Sequence, residues 1–390
     1  MTRPYAILDR PYVSRQLADA LVELQVPTLR NRPDLEIPRA QEVNLVPAEA
    51  FFAVLAAEPR PLLYTNSEDT LAAVMGHCAG SALGRRLHAA KDKALMRELL
   101  QPLYPDLWFR RVPLAEITGL GADELRFPLV AKPAVGFFSL AVVTAATPQE
   151  WPAARETLLR AVEESKGLFS QSVLDTTDIL LEEQVSGEEY AVDTYFSADG
   201  SPVLLDVMHH LFRDAGDTDD KVYLTHADLI RTEGSLLMKG VAQLGRALGL
   251  ADIAAHIEFR VDDHGRAVPI EINPLRLGGF CATDLAWHAY GLNTHRAFLA
   301  QQVPDWEALL DGSRGVTTVV LCKPPEDVAR SRIREVRWDR LAARFGKVRE
   351  LRPMDFRRYP LLALAFIWSP NMEEPRQVLE MEFGDCLILD

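Results

Sequence analysis

One predicted β-hairpin constrains the fold of this chain more than any other feature. Two segments, 255–261 and 267–272, alternate between apolar and polar side chains and flank the turn signal Asp-Asp-His-Gly. Such alternation is typical of half-buried β-strands. Glu271 and Asn273 stand two positions apart and share a face, and the short turn puts Glu258 opposite them. The sequence therefore predicts a hairpin with three oxygen-bearing side chains on one face.

This cluster of oxygen atoms is a candidate metal site. Three oxygen ligands suit a hard cation such as Mg²⁺, which takes its other ligands from water and substrate phosphates. Glu258, Glu271 and Asn273 are therefore predicted to bind Mg²⁺, with Mn²⁺ as an alternative. A hairpin whose glutamates simply face solvent has the same alternation, so the pattern alone leaves both interpretations open.

The rest of the chain alternates between strand-like and helix-like segments, which predicts an α/β (α+β) protein. An apolar run at 5–8, a helical pattern at 14–24 and a buried strand at 61–65 predict a small N-terminal α/β domain over 1–88. The acidic segment 214–221 predicts a loop. Further helices are predicted at 88–100, 148–165 and 235–248, and further strands within 127–143 and at 179–185, 189–196 and 203–208.

Strand-like runs continue beyond the hairpin. Those at 316–321 and 361–367 are apolar, and with their neighbours they predict a separate C-terminal α/β subdomain over 311–390.

Composition excludes several classes of protein. With 48% hydrophobic and 25% charged residues, the 390-residue chain has the composition of a folded protein and not of a disordered one. A net charge of −14 argues against nucleic-acid binding. The four cysteines form no CxxC pair, and no apolar stretch reaches the roughly 18 residues of a membrane span. The expected location is cytoplasmic.

Two further segments carry side chains of the kinds that can contact a nucleotide. Lys132 ends an apolar strand before a loop that contains Gly136 and Ser139. A lysine there can reach a phosphate, and loop amides can cradle its oxygens. The carboxylates of Glu182 and Glu189 lie in an acidic segment and can accept hydrogen bonds from ribose hydroxyls or an adenine amine, although a charged, solvated sheet edge has the same composition.

In their order along the chain, these segments resemble the ATP-grasp superfamily, in its carbamoyl-phosphate-synthetase-like and L-amino-acid-ligase-like branches. The resemblance covers roughly residues 90–300. It implies an ATP-grasp domain over 89–310, with a small lid subdomain at about 120–187, between the N-terminal domain and a C-terminal extension. The matching segments are 91–93 (Lys-Asp-Lys), 130–133 (Val-Ala-Lys-Pro), 181–190 (Leu-Glu-Glu-Gln-Val-Ser-Gly-Glu-Glu-Tyr) and 271–279 (Glu-Ile-Asn-Pro-Leu-Arg-Leu-Gly-Gly).

The resemblance also implies a role for each matching residue. Arg276 corresponds to an arginine that stabilises an acyl phosphate, and together with Lys132 it is the expected catalytic residue. The remaining roles are ATP phosphate binding by Lys93 and Lys132 with the Gly136 and Ser139 loop, adenine binding by Glu182 and the Val185 backbone, ribose binding by Glu189, and magnesium binding by Glu258, Glu271 and Asn273.

The sequence departs from the family pattern at two places. The loop at 134–140 is poor in glycine, and its Phe137 and Phe138 predict an apolar lid over the phosphates, an adaptation to an apolar substrate, or a protein with little turnover. His256 stands where several ligases have an arginine. The candidate substrate residues are His209 with its neighbour His210, Arg213, Gly278 and Gly279, although the histidines also fit a polar strand end.

The function implied by the resemblance is ATP-dependent ligation. A small carboxylate, expected to be an amino acid, would be activated as an acyl phosphate and attacked by an amine, giving ADP and phosphate. The D-alanyl-D-alanine ligases match less well, because they lack the Asn-Pro-x-Arg arrangement of 273–276. Two alternatives are an ATP-binding regulatory protein with little turnover and an ATP-grasp phosphotransferase. A homodimer is expected from the relatives.

Overall fold

A computed structural model describes residues 3–58, 60–78, 80–136, 141–165, 175–214, 217 and 219–390. Its strands are β1 (Pro4–Leu8), β2 (Thr28–Arg30), β3 (Leu62–Thr65), β4 (Phe109–Pro113), β5 (Leu129–Val135), β6 (Val143–Ala145), β7 (Asp175–Glu183), β8 (Glu188–Phe196), β9 (Pro202–Leu211), β10 (Val222–Thr225), β11 (Ile253–Val261), β12 (Ala267–Pro274), β13 (Val316–Cys322), β14 (Ile333–Val336), β15 (Val348–Pro353), β16 (Ala363–Ser369) and β17 (Leu387–Leu389). Its α-helices are α1 (Arg15–Glu23), α2 (Ala48–Ala57), α3 (Asp69–His77), α4 (Ala82–Lys91), α5 (Lys93–Leu100), α6 (Trp151–Ser165), α7 (Ala227–Leu248), α8 (Leu285–Tyr290), α9 (Thr294–Leu299), α10 (Trp306–Leu310), α11 (Trp338–Ala342) and α12 (Glu373–Leu379).

Eleven strands form one mixed sheet. Ten of them follow the order β15-β16-β13-β10-β9-β8-β11-β3-β1-β2, and β12 pairs with β11 beside this path. The N-terminal strands β1, β2 and β3 are parallel to one another, and β3 also pairs in parallel with β11. The N-terminal α/β unit is thus joined to the remainder of the molecule through a continuous sheet.

The C-terminal strands extend this same sheet at its other end, which differs from the separate piece that the sequence suggested. Strand β13 pairs with β10, and β16 pairs with β13. All seven residues of β13 are buried, as expected for an apolar strand inside a sheet. A sequence pattern does not show which open edge such a strand will join. Strands β14 and β17 form a two-stranded sheet of their own.

The hairpin predicted from the alternation is confirmed. Strands β11 and β12 are antiparallel, with Glu258 directly opposite Glu271 and His256 opposite Asn273. A bulge follows Glu258. The turn is closed by Asp262, whose carboxylate accepts hydrogen bonds from backbone N–H groups on the return side. The three oxygen-bearing side chains therefore do share one face.

Helix α7 covers the opposite face of the sheet with an apolar stripe that includes Leu237, Val241 and Leu244. A Cβ atom at Gly245 would lie 2.2 Å from Phe196 Cε1, so a glycine is required where the helix approaches the sheet. The helix begins eight residues before the expected start, because His226 caps it by accepting a hydrogen bond from a first-turn amide. Helix α7 thus covers one face of the hairpin, and Glu258, Glu271 and Asn273 lie on the other.

The helix predicted at 88–100 is divided in two. Asp92 ends α4 and caps α5, and its carboxylate accepts a hydrogen bond from the N–H of Leu95 at 2.9 Å. This break turns Lys93 into the first residue of a new helix.

A smaller sheet, in the order β4-β7-β5-β6, packs against α6. Its core includes Trp151, Leu158, Ile179 and Leu181, all buried. The polar face of the hairpin and this sheet enclose a cleft. No helix in the described ranges combines the length and the hydropathy needed to cross a membrane.

Candidate active site

Two adjacent cavities occupy the polar side of the hairpin. The first lies between the hairpin and the small sheet, and Val130, Val142, Val185 and Ile270 give it an apolar part. Its polar lining consists of Lys93, Lys132, Gly136, Thr144, Glu182, Glu183, Gln184, Glu189, Asp217, Asp220, Glu258, Arg260 and Glu271.

The second cavity lies on the other side of the same carboxylates. Glu258, Glu271 and Asp220 line both cavities, so the two spaces meet at these three side chains. The polar lining of the second cavity is completed by Tyr223, His256, Asn273, Arg276, Gly278 and Gly279, and its apolar lining by Met208, Phe280, Ala282, Leu321 and Leu364.

Lys93 links the first cavity to the shared carboxylates. Its ammonium donates a hydrogen bond to the carbonyl of Gly136 at 2.8 Å and lies 3.4 Å from Glu271 Oε1. The side chain is buried, so a nearby anion would be a strong partner for it.

Lys132 and Arg97 both contact the carboxylate of Glu182. The ammonium of Lys132 lies 2.7 Å from Glu182 Oε1, and the guanidinium of Arg97 donates to the other oxygen. Burial alone would raise the pKa of Glu182, but these two cations outweigh it and lower that pKa to about 2. Glu182 is therefore ionised and holds Lys132 beside the cavity.

Glu189 is fixed by two basic side chains. Its Oε1 lies 2.8 Å from His210 Nδ1, and its Oε2 lies 2.8 Å from a guanidinium nitrogen of Arg260. Burial opposes ionisation, yet His210 and Arg260 give the carboxyl group a lowered pKa. An oriented, ionised carboxylate at the cavity wall can accept hydrogen bonds from hydroxyl groups.

The pKa of Glu258 is shifted in the opposite direction from that of Glu189. Burial and the nearby charges of Glu271, Glu189 and Asp220 raise its pKa well above the usual range. The lysine that lowers it, Lys93, does not offset these effects. The shared wall between the cavities is therefore short of positive charge.

The residues at this wall fit a hard cation. Asn273 is buried, and its Oδ1 atom has no hydrogen-bond partner within the described chain. Two carboxylates and this carbonyl oxygen are the donors that Mg²⁺ prefers. Among the described residues, no group of three His, Cys, Asp or Glu side chains is arranged to hold a metal ion.

Arg276 lies in the second cavity at the end of a buried charge chain. Its Nε atom donates to Glu68 at 2.6 Å, and Lys91 lies 3.0 Å from the other oxygen of Glu68. Burial raises the pKa of Glu68, but the charges of Lys91 and Arg276 outweigh it and lower that pKa to about 2. The ionised Glu68 thus orients Arg276.

His256 and the two glycines form another wall of the second cavity. His256 Nδ1 lies 2.8 Å from the buried carboxylate of Asp193, which also accepts a hydrogen bond from the N–H of Gly278 at 3.3 Å. A Cβ at Gly278 would lie 2.9 Å from the backbone nitrogen of Thr283, so the chain turns too tightly there for a side chain.

Two predicted substrate residues lie elsewhere. His209 sits on the face that α7 covers, where it stacks on Tyr190 and contacts Glu188. Arg213 is exposed, pairs with Asp217 and lines neither cavity. Because adjacent residues of a strand point to opposite faces, His210 contacts Glu189 at the wall of the first cavity and His209 does not. Ser139 and the Phe137–Phe138 pair lie outside the described residues.

Several site residues were not identified from the sequence. Arg97, Glu68 and Asp220 are distant in sequence from the motifs that they contact. Only Lys91 stood within a recognised segment, Lys-Asp-Lys. A charged residue on the apolar stripe of α5, such as Arg97, was the one available signal, since it predicts a buried partner.

Comparisons with known proteins show what the chain resembles in sequence and fold. Residues 125–284 match the family model of the ATP-grasp domain. No curated protein matches the sequence. Among solved structures, an L-amino acid ligase from Bacillus licheniformis has a TM-score of 0.70 at 17% identity, covering 100% of this chain and 98% of that one. An N5-carboxyaminoimidazole synthase from Aspergillus clavatus, in complex with ADP and its ribonucleotide, has a TM-score of 0.64 at 14% identity, with 97% of each chain covered.

A biotin carboxylase from Campylobacter jejuni, in complex with an ATP analogue, has a TM-score of 0.63 at 12% identity and covers 99% of this chain and 92% of that one. At such identities the likenesses establish the fold. The family match and the fold together identify an ATP-grasp domain in this chain, and the expected ATP-grasp fold is confirmed.

Proposed function

We propose that this ATP-grasp protein is an ADP-forming ligase that activates a small carboxylate for attack by an amine. The proposed carboxylate substrate is an amino acid. The family match and the ligases among the structural neighbours support an enzyme of this class. The observation that carries the proposal is the wall of Glu258, Glu271 and Asp220 shared by the two cavities. A reaction between two bound substrates needs such a junction.

The first cavity suits a nucleotide. Its apolar part can take a base, and the ionised Glu189 can accept hydrogen bonds from ribose hydroxyls. Lys93, beside Glu271 at the shared wall, and Lys132, beside Glu182, would bind the phosphates. Their charges would offset the charge that develops on the transferred phosphoryl group.

Mg²⁺ would be held by Glu258, Glu271 and Asn273, and it would neutralise phosphate charge when bound. The raised pKa of Glu258 and the unpartnered Asn273 Oδ1 support this assignment.

In the second cavity, Arg276 would bind the substrate carboxylate and then the acyl phosphate. The ion pair with Glu68 restricts its rotamers, so the guanidinium is oriented before substrate arrives. The carboxylate oxygen attacks the γ-phosphorus and ADP leaves. The amine then attacks the acyl carbon, an amide bond forms and inorganic phosphate leaves.

The test is to measure ADP and phosphate release from Mg-ATP with pooled amino acids and other small carboxylates, with mass spectrometry of the products. One phosphate released per new amide would support the proposal. A phosphorylated product without free phosphate would replace it with a phosphotransferase. Tight ATP binding without turnover of any pool would favour the regulatory alternative. A homodimer and a cytoplasmic location stay predictions, the first of which light scattering would check.

A further inference from the structure

The loop after β12 has an unusual backbone where it borders the second cavity. Phe280 and Cys281 both have left-handed conformations, with φ of 54° and 56°. Side chains disfavour this region, and two such residues in succession need support from their surroundings. Phe280 lines the second cavity, so whatever holds this backbone also sets the position of one cavity wall.

That support comes from Arg352 on β15, a side chain with no exposed surface. Its Nη1 donates to the carbonyls of Phe280 and Cys281, both at 3.1 Å. Its Nη2 donates to Asp284 at 2.9 Å and to Glu350, and its Nε also donates to Glu350. The five N–H groups of the guanidinium are thereby all used, which a lysine with three donors at one nitrogen cannot reproduce.

Arg352 also belongs to the sheet that forms the opposite wall. Leu321 on β13 pairs with Leu364 on β16, and Leu364 pairs with Arg352 on β15. Residues paired in this way lie on one face of the sheet. Leu321 and Leu364 line the second cavity, facing a space that Phe280 borders as well.

We propose that Arg352 is a positioning residue that fixes Phe280 relative to Leu321 and Leu364, so that the C-terminal strands set the size of the apolar side chain that the second cavity accepts. The inference rests on the proposed function for the identity of the ligand, a carboxylate with an apolar side chain. It assigns residues 311–390 a role in specificity.

The first experiment measures hydrogen exchange in the full-length protein and needs no substrate. Arg352→Lys and Arg352→Met should speed amide exchange over 278–284 by about tenfold, and leave β11 unchanged. Arg344→Met is the matched control, because Arg344 pairs with Asp385 at the surface. Unchanged exchange over 278–284 in both Arg352 variants would overturn the positioning role.

The second experiment measures kcat and KM for alanine, valine, leucine and phenylalanine as carboxylate substrates. Leu364→Ala should raise kcat/KM for phenylalanine relative to that for alanine by about tenfold. Arg352→Lys should reduce the differences in kcat/KM among the four amino acids. In both variants, the KM for ATP should stay within about twofold of that of the unmodified protein. General damage to the fold would change the KM for ATP as well. An unaltered size preference in Leu364→Ala would overturn the specificity role.

The two failures are distinguishable. If the unmodified protein ligates none of these acids, the proposed function fails, and the exchange experiment still decides whether Arg352 holds the loop.

Discussion

The two cavities differ in where their side chains come from. The first is lined by short motifs, in which neighbouring strand residues carry the charges, and its Lys132 is paired with Glu182. Besides residues of the hairpin, the second takes its walls from β9, β10, the loop after β12, β13 and β16, which are far apart in the sequence. The second cavity holds Arg276 together with the three shared carboxylates, and its apolar lining comes from Met208, Phe280, Ala282, Leu321 and Leu364.

This difference implies that the residues that bind phosphate are largely distinct from those that select the substrate. Charged groups that handle phosphate need a fixed spacing, which a local motif can supply. The shape of a substrate pocket depends on which strands meet in space, and unrelated segments can contribute to it. Substitutions at the shared wall should therefore impair ligand binding in both cavities, and substitutions elsewhere should impair ligand binding in one cavity.

The largest effect is expected for Glu271→Gln at the shared wall. Loss of this carboxylate removes a proposed magnesium ligand and the partner of Lys93, so kcat should fall on the order of 10³-fold. Turnover is measured as ADP release, with circular dichroism to confirm folding. Glu188→Gln, an exposed glutamate of β8, is the control. Activity near that of the unmodified protein would refute the metal assignment.

Lys132→Met should impair the first cavity alone. The KM for ATP is expected to rise about 10- to 100-fold, since a charge beside the phosphates is lost, while the KM for the carboxylate substrate stays constant. Steady-state kinetics with each substrate varied in turn provide the measurement. Lys239→Met, on the exposed side of α7, is the matched control. A selective rise in the carboxylate KM would contradict the division into two cavities.

Acid should weaken the fold through Glu182. Its pKa is lowered to about 2 in the folded protein from 4.5, so its stabilisation is complete above pH 4.5 and is lost as the pH falls toward 2. Glu182→Gln should lower the free energy of unfolding on the order of 3 kcal/mol at pH 7, and by much less at pH 2 to 3. Urea unfolding at several pH values measures this. Glu156→Gln, exposed on α6, should show no such pH dependence, and a constant difference for Glu182→Gln would reject the explanation.

The smallest effects compare two adjacent histidines on opposite faces of β9. His210→Ala should raise the KM for ATP about fivefold, because Glu189 loses the partner that orients it. His209→Ala, on the face covered by α7, should change it by less than about twofold. Equal effects of the two substitutions would show that the face of the strand does not decide the role.

The sequence predicted correctly those parts of the molecule that have a local periodicity. The alternation around Glu258 and Glu271 predicted the hairpin and its polar face, and the order of motifs predicted the fold. The sequence did not predict which distant strands pair, because an apolar strand such as β13 could have joined any open sheet edge. The same limit hid Arg97 and Arg352, because a buried arginine is understood only together with the carboxylates and carbonyls that surround it.

The parallel pairing of β3 with β11 has a consequence for the newly made chain. Leu63 pairs with Ile253, and the N–H of Thr65 donates to the carbonyl of Leu275. Residue 253 is added 253 − 63 = 190 residues after Leu63. At roughly 5–20 residues per second, one edge of β3 stays open for about 10–40 s during synthesis on the ribosome. An exposed apolar edge invites aggregation, so we expect chaperones to bind the nascent chain at this strand.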